Sequence, residues 1–326
     1  MKTMKWLIRR EFWEHKGAML WAPLVAAALM LAAIVGSLLY GLSLGRFQGQ
    51  ITANGVSRRV SLTLADLPAD KLQGFLNTAA ELYLAVSAPL FVMLAATVFF
   101  YCLSALHDER RDRSILFWKS LPVSDAQTVL SKALTAAIVA PVIIIAIAVA
   151  MSVLIVLLAG IGSAFYGLNL LGPLLSNPAF YLAPLRLAGL LPVYVLWALP
   201  TIGWLLLVSS WAKSKVFLWA VGTPVLAMLV LKWIDYLLGV GINVDWFANN
   251  VVARGLLGLV PGIWLPLEQT NPALLAGPGT QGAAAMSGIF TQSWMTLATP
   301  AVWIAAIAGC GMIFAAARLR RWKDEG

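Results

Sequence analysis

The 326-residue chain is poor in charged residues, cysteine and histidine. Charged residues make up 11% of it, whereas soluble globular domains carry about 25%. Its two cysteines, Cys102 and Cys310, both fall inside long uncharged runs, so no disulfide framework is indicated. Its two histidines, His15 and His107, lie next to charged residues at the ends of such runs, which disfavours a histidine-based hydrolase or a zinc site. The composition excludes an ordinary soluble domain and indicates an integral membrane protein.

Motifs that would carry catalysis are also missing. The pairs Lys119-Ser120 and Lys213-Ser214 lack the preceding glycines of a phosphate-binding loop. Neither a G-x-S-x-G elbow nor an H-E-x-x-H zinc motif occurs. We therefore predict no catalytic residue, cofactor or metal ligand, and expect the chain not to hydrolyse ATP by itself.

Long uncharged runs fill most of the sequence. Hydrophobic residues make up 61% of it, and the mean hydropathy is +0.85. A helix needs about 20 apolar residues to cross a hydrocarbon core of about 30 Å, and the runs are continuous rather than alternating, which favours helices over strands. We expect an all-α integral membrane protein with one transmembrane domain over 1–326. The predicted spans are 18–41, 80–106, 127–160, 186–211, 216–238 and 296–317.

Every predicted span contains proline, which removes a backbone hydrogen bond and creates a kink or weak point. These prolines are Pro23, Pro89, Pro141, Pro192, Pro200, Pro224 and Pro300.

The net charge of +9 is explained by topology rather than by a nucleic-acid partner. Most of the 23 Lys and Arg residues fall on one side of the predicted spans, in the stretches 2–16, 110–132, 213–215 and 318–323. An excess of Lys and Arg marks the cytoplasmic side, so both termini are expected there, in contact with anionic lipid.

The N-terminal stretch predicts an amphipathic helix in the membrane interface. Met4, Ile8 and Phe12 recur at helical spacing, while polar residues lie between them. Tryptophans commonly anchor such a helix at headgroup level. The residues assigned to this interfacial elbow are Trp6, Arg9, Arg10, Phe12 and Trp13. The alternative is a charged tail that only sets orientation.

The segment between the second and third predicted spans joins a charged run to an apolar patch. Ser124 followed by Gln127 predicts a capping box that restarts a helix, so the stretch before Pro122 would form one short helix parallel to the membrane. Arginine together with aromatic residues is typical of interface hot spots. We interpret the segment as a docking surface; the alternative is a basic loop whose Phe117 and Trp118 rest on lipid. The assigned contact residues are Asp108, Glu109, Arg110, Arg111, Asp112, Arg113, Ser114, Ile115, Leu116, Phe117 and Trp118.

Three further stretches connect the spans. Residues 42–79 are polar and turn-rich, and we expect a loop with no core. Residues 161–185 are interrupted by glycine and proline, which argues against a full span. In the longest loop, 251–267 is apolar but contains Arg254 and several glycines and prolines, so we expect a re-entrant or interfacial helix rather than a seventh span.

This layout resembles the membrane subunit of an ATP-binding-cassette (ABC) type-2 permease. The resemblance covers the whole chain in layout, and in sequence it rests on RREFWEHKG (9–17) and DERRDRSILFWKSLPVSDAQTVLSK (108–132). It implies that the turn after the second span is a cytoplasmic coupling helix seated in a separate ATPase, with Glu109 the most family-like position. Members commonly have a Gly-Thr pair where this chain has Arg113-Ser114.

The resemblance also implies partners and a location. It implies two separate ATPase subunits that bind ATP and magnesium, and a second permease chain, as a homodimer, in a bacterial inner membrane. The expected activity is export of an apolar or amphipathic substrate. Two alternatives remain open: an ion-coupled secondary transporter, which the uncharged spans disfavour, and a non-transporting scaffold or sensor subunit.

Overall fold

The computed structural model describes residues 2–43, 49–53, 56–60, 69–112, 123–164, 171–239, 241, 243–276 and 284–323. Within this part of the chain, six helices are long and apolar enough to cross a membrane. We call them spans 1 to 6: Gly17–Ser37, Gln73–Arg111, Asp125–Ala164, Pro178–Trp211, Val216–Leu238 and Pro300–Arg321. All six correspond to predicted spans, so the helical, multi-pass membrane architecture is confirmed.

The described residues form α-helices and short helical turns, apart from one pair of strands. The α-helices are α1 (Lys2–Glu14), α2 (Ala22–Ser43), α3 (Ala69–Leu82), α4 (Ala88–Ser104), α5 (His107–Arg111), α6 (Asp125–Leu134), α7 (Ala140–Ala164), α8 (Leu171–Leu175), α9 (Pro178–Gly189), α10 (Leu191–Trp211), α11 (Val216–Leu238), α12 (Val244–Phe247), α13 (Arg254–Leu257), α14 (Trp264–Leu267), α15 (Met286–Met295) and α16 (Pro300–Lys323). Short π-helical turns cover Gly17–Trp21, Thr135–Val139 and Ala248–Ala253, and 3-10 turns cover Tyr83–Ser87, Pro272–Leu275 and Thr296–Ala298.

Irregular turns come directly before the prolines of four spans. π-helical turns precede Pro23 and Pro141, and 3-10 turns precede Pro89 and Pro300. Proline has no N–H and its ring crowds the preceding turn, so the helix widens or tightens there. The prolines therefore mark local irregularities in these four spans, whereas Pro200 and Pro224 lie inside continuous α-helices.

The expectation of a loop without a core over 42–79 was wrong. Two antiparallel strands, β1 (Gly49–Ala53) and β2 (Val56–Val60), pair with Gly49 opposite Val60. The helix α3 begins at Ala69 and continues through the turn Tyr83–Ser87 into α4. Its Leu76 and Ala80 are buried in a small apolar cluster with residues of α9 and α15. The polar composition concealed an amphipathic helix, because only one of its faces packs.

Charged residues bracket an uncharged middle zone. In span 2 no charged residue occurs from Leu82 to Leu106, and Glu81 and Glu109, on either side, are both buried. These two positions are about 42 Å apart at 1.5 Å per residue, close to the thickness of a bilayer with its headgroups, about 40–45 Å. One charged group therefore lies at each end of the bundle.

Candidate functional site

At the end of the bundle near both chain termini, five charged side chains form a terminal ionic cluster. Lys132 Nζ lies 3.0 Å from both Glu11 Oε1 and Glu109 Oε1. Arg320 Nη1 lies 2.8 Å from Glu109 Oε2, and its Nε lies 3.1 Å from Asp125 Oδ1. The cluster joins α1, α5, both ends of α6, and α16.

The cluster is shielded from water. Glu11, Lys132, Glu109 and Arg320 are all buried, with Lys132 only 2% exposed. The Tyr101 hydroxyl donates to Glu11 Oε2 at 2.9 Å. Breaking such a buried pair costs about 3–5 kcal/mol, because the remaining charge is left uncompensated. The cluster therefore holds the elements that contribute to it in one relative arrangement.

Local sequence explains how Lys132 reaches this position. The Ser124 hydroxyl accepts a hydrogen bond from Gln127 N, and the Gln127 side chain accepts one from Ser124 N, so the predicted capping box is confirmed. This cap fixes the first turn of α6. The polar residues of the following turns are buried and share one face: Thr128, Ser131, Lys132 and Thr135.

Residues 107–112 are attached to span 4 as well as to the cluster. The Ser209 hydroxyl accepts hydrogen bonds from the backbone N–H groups of Leu106 (3.1 Å) and His107 (3.0 Å). The Arg110 guanidinium donates to the carbonyl oxygens of Ser209 and Ala212. Any displacement of this short segment therefore acts on the end of span 4 directly.

The predicted contact residues divide into inward-facing and outward-facing groups. Glu109 is buried against Lys132 and Arg320, so in this structure it ties the segment to the bundle. Asp108, Arg111 and Asp112 are exposed. The other predicted contacts lie outside the described residues: Arg113, Ser114, Ile115, Leu116, Phe117 and Trp118.

The N-terminal helix α1 differs in detail from the predicted elbow. Trp6 and Trp13 are 52% and 53% exposed, as suits headgroup anchors. Of the other assigned residues, Arg9 is exposed, whereas Arg10 and Phe12 are half-buried. The face that packs on the bundle carries Leu7 and Glu11, four residues apart and each 1% exposed. The sequence prediction did not identify Glu11 as a contact.

A second ion pair, of a buried Glu81 with a partly exposed Arg186, lies at the opposite end of the bundle. Arg186 Nη1 donates to Glu81 Oε1 at 2.7 Å, and the backbone N–H of Ser287 donates to Glu81 Oε2 at 2.9 Å. Nearby, the Tyr83 hydroxyl donates to the Phe180 carbonyl oxygen at 3.0 Å, and the two rings stack. These bonds join spans 2 and 4 to α15.

The segment 251–267, predicted as a re-entrant or interfacial helix, is helical on both sides of a turn, and we call residues 244–267 the helical hairpin. Helical turns from Val244 to Leu257 are followed by a turn at 258–263 and by α14. At Gly262 the backbone has a φ of 87°, which glycine adopts without strain. Trp264 is buried, and its Nε1 donates to Ser293 Oγ at 2.8 Å.

Arg254 holds this hairpin against span 4. Its Nη2 lies 2.7 Å from Glu268 Oε1, and its Cζ lies 4.2 Å from the centre of the Trp197 ring. Burial lowers the pKa of the Arg254 guanidinium, and the Glu268 carboxylate opposes that shift. Arginine remains protonated in proteins, so the ion pair persists at neutral pH.

Replacing Arg254 with methionine is expected to loosen the hairpin by about 2 kcal/mol, since it removes both a charged hydrogen bond and a desolvated cation–π contact. Amide hydrogen exchange over 244–268 should become faster. The control is Asp245→Asn, at an exposed position of the same hairpin. Equal exchange rates in both variants would show that Arg254 does not hold the hairpin.

Comparisons of the chain with models of protein families, with curated proteins and with solved structures gave no match. The properties of the site are therefore inferred from its geometry. Within the described part of the chain, no group of three or more His, Cys, Asp or Glu side chains is arranged to hold a metal ion. The terminal ionic cluster connects the short segment 107–112 to spans 3 and 6, and through Lys132 to α1.

Proposed function

We propose that this chain is the membrane-spanning permease subunit of an ABC transporter, which moves its substrate with energy from ATP hydrolysed by a separate ATPase subunit. The substrate class is apolar or amphipathic, and the direction is export. Two ATPase subunits and a second copy of the chain complete the transporter in a bacterial inner membrane. Both termini are cytoplasmic, and ATP and magnesium are bound by the partner alone.

The observation that carries this proposal is the attachment of residues 107–112 to the bundle. Through Glu109 the segment contacts Lys132 at the start of span 3 and Arg320 at the end of span 6, and through Arg110 it contacts the end of span 4. A partner that pulls on the exposed residues of this segment therefore acts on three spans at once. Such a connection suits a subunit driven from outside the membrane.

The position of the charges supports this proposal over an ion-coupled transporter. Ion-driven carriers use ionisable groups within the membrane to hold the coupling ion. In span 2 the charged groups lie at the two ends, with an uncharged stretch between Glu81 and Asp108. In span 3 no charged residue follows Lys132 up to Ala164.

The test is reconstitution with an ATPase that carries a phosphate loop and is encoded beside this chain. We expect ATP-dependent substrate movement only when both proteins are present. The double charge reversal Asp108→Lys/Arg111→Glu should weaken ATPase binding by about tenfold or more, since hot-spot contacts each contribute at least about 2 kcal/mol. The aromatic double variant Phe117→Ala/Trp118→Ala should do the same.

The matched control is Lys213→Glu, which reverses an exposed charge in the turn between spans 4 and 5, on the same predicted side. It should leave ATPase binding unchanged. Substrate movement without any ATPase would refute the proposal in favour of a secondary transporter. A complex that never binds a nucleotide-hydrolysing partner would favour a scaffold or sensor subunit.

A further inference from the structure

A cavity of about 370 Å³ lies between spans 2, 3 and 4, α15 and the turn of the helical hairpin. Its deep wall is formed by the buried residues Leu94, Tyr194 and Trp264. Ligand pockets in proteins commonly have volumes of about 300–1,000 Å³ and mostly apolar walls. The cavity meets both criteria, since most residues that line it are apolar.

The mouth of the cavity lies on the surface of span 2. Ala85, Ala88 and Val92 line it and are exposed, Val92 by 65%. Ala88 and Val92 lie one helical turn apart within the uncharged part of this span. In a bilayer, an apolar opening at this depth faces hydrocarbon rather than water.

The walls suit a hydrocarbon chain better than water. A buried water needs two to four polar partners. Apart from Glu81, the polar side-chain groups of the lining residues are Trp264 Nε1, which donates to Ser293, and the Tyr194 hydroxyl, which has no hydrogen-bond partner among the described residues. Glu81 is the charged residue among those that line the cavity, but its two oxygens already accept hydrogen bonds from Arg186 and from Ser287 N. Protein interiors leave few voids larger than a water molecule, so a cavity of this size that opens toward hydrocarbon has room for a lipid chain.

A cation lies beside this cavity. Arg186 uses Nη1 for Glu81, but its side chain is 26% exposed, and the next residue, Leu187, lines the cavity. Arginine presents five N–H donors in a planar fork that matches a phosphate group. An apolar site next to a partly exposed guanidinium is complementary to an acyl chain joined to a phosphate.

We propose that the cavity binds one acyl chain of a phospholipid, with the lipid phosphate on the free side of the Arg186 guanidinium. The hairpin turn that contains Gly262 forms one wall, so its position controls the space for the chain. Lipid binding at this site needs no ATPase, so its test does not depend on whether the proposed function is correct.

The test uses the full chain in nanodiscs that contain phosphatidylglycerol with a photoactivatable diazirine on one acyl chain. After illumination, labels are mapped by mass spectrometry. We expect labels on Ile145 and Leu265, which line the cavity from span 3 and from α14. Val92→Trp should fill the mouth and reduce this labelling by about tenfold, because the indole would occupy the space through which the acyl chain enters.

The control is Leu229→Trp, at a 53% exposed position of span 5 outside the cavity, which should leave labelling unchanged. Ala88→Trp replaces Val92→Trp if that variant does not fold. A matching diacylglycerol probe, which lacks the phosphate, should label the same residues several-fold less. The proposal would be overturned if both probes label equally, or if Val92→Trp and Leu229→Trp are labelled equally. It would also be overturned if labelling is lost on dimerisation, because a second copy of the chain would then occupy the cavity.

Discussion

Replacing Lys132 with methionine is expected to lower the free energy of unfolding by about 3–5 kcal/mol. Methionine preserves much of the side-chain volume but removes the ammonium that lies 3.0 Å from both Glu11 and Glu109. The two carboxylates would then face each other in a site where Glu11 is 1% exposed. Unfolding by denaturant in detergent micelles measures the loss.

Two further variants separate this effect from a general loss of charge. Lys232→Met removes an exposed lysine from span 5 and should change stability by less than about 0.5 kcal/mol. Lys132→Met/Glu11→Gln should recover much of the loss, because Glu109 keeps Arg320 at 2.8 Å and no uncompensated carboxylate remains at position 11. If Lys132→Met and Lys232→Met prove equally stable, the buried cluster does not stabilise the protein.

The double variant also tests the proposed function. With stability largely recovered, the exposed residues Asp108 and Arg111 remain available to an ATPase, so binding should persist. The link between the segment 107–112 and span 3 is lost, however, because the ammonium of Lys132 joins Glu109 to that span. ATP hydrolysis that continues without substrate movement is the expected result.

Features set by local sequence were predicted correctly. The six spans followed from runs of apolar residues, because a membrane helix satisfies its backbone within one segment. The capping box at Ser124 and Gln127 depends on residues three positions apart. The break points ahead of Pro23, Pro89, Pro141 and Pro300 followed from the geometry of one residue type.

The terminal ionic cluster was not predicted, because its members come from distant parts of the sequence. Glu11 was not assigned a role, although it lies four positions after Leu7 and shares its buried face. Lys132 was included among the basic residues that lie on one side of the predicted spans. The signal that was available is the spacing of Thr128, Ser131 and Thr135 around it, which places polar side chains on one face of an otherwise apolar helix.

The cavity had no sequence signal either. Its walls come from several helices and from the turn at 258–263, and apolar residues that line a cavity look the same in sequence as apolar residues that face lipid. The turn itself depends on close packing: a Cβ on Gly258 would lie 2.4 Å from the carbonyl oxygen of Trp197. Only the tertiary arrangement distinguishes these positions.

Gly309→Leu is expected to destabilise the protein by more than about 3 kcal/mol, above the usual range for overpacking. Spans 4 and 6 meet at Gly203 and Gly309. A Cβ on Gly309 would lie 2.6 Å from the backbone carbonyl of Leu199, and one on Gly203 would lie 2.4 Å from the carbonyl oxygen of Gly309. Small residues let membrane helices approach this closely, and backbone atoms cannot move aside as a flexible side chain can.

Gly311→Leu is the matched control, two residues further along the same helix, where a Cβ would meet nothing within 4 Å. Both substitutions gain helix propensity by up to about 1 kcal/mol, so the difference between them reports the packing of spans 4 and 6. Denaturant unfolding in micelles should place Gly309→Leu well below the wild type and Gly311→Leu at or slightly above it. Because span 6 also carries Arg320, forcing it away from span 4 should strain the terminal ionic cluster, and amide exchange in α6 should rise in Gly309→Leu alone. If amide exchange in α6 stays at the wild-type rate while exchange in span 6 rises, the contact between spans 4 and 6 at Gly309 does not affect the terminal ionic cluster.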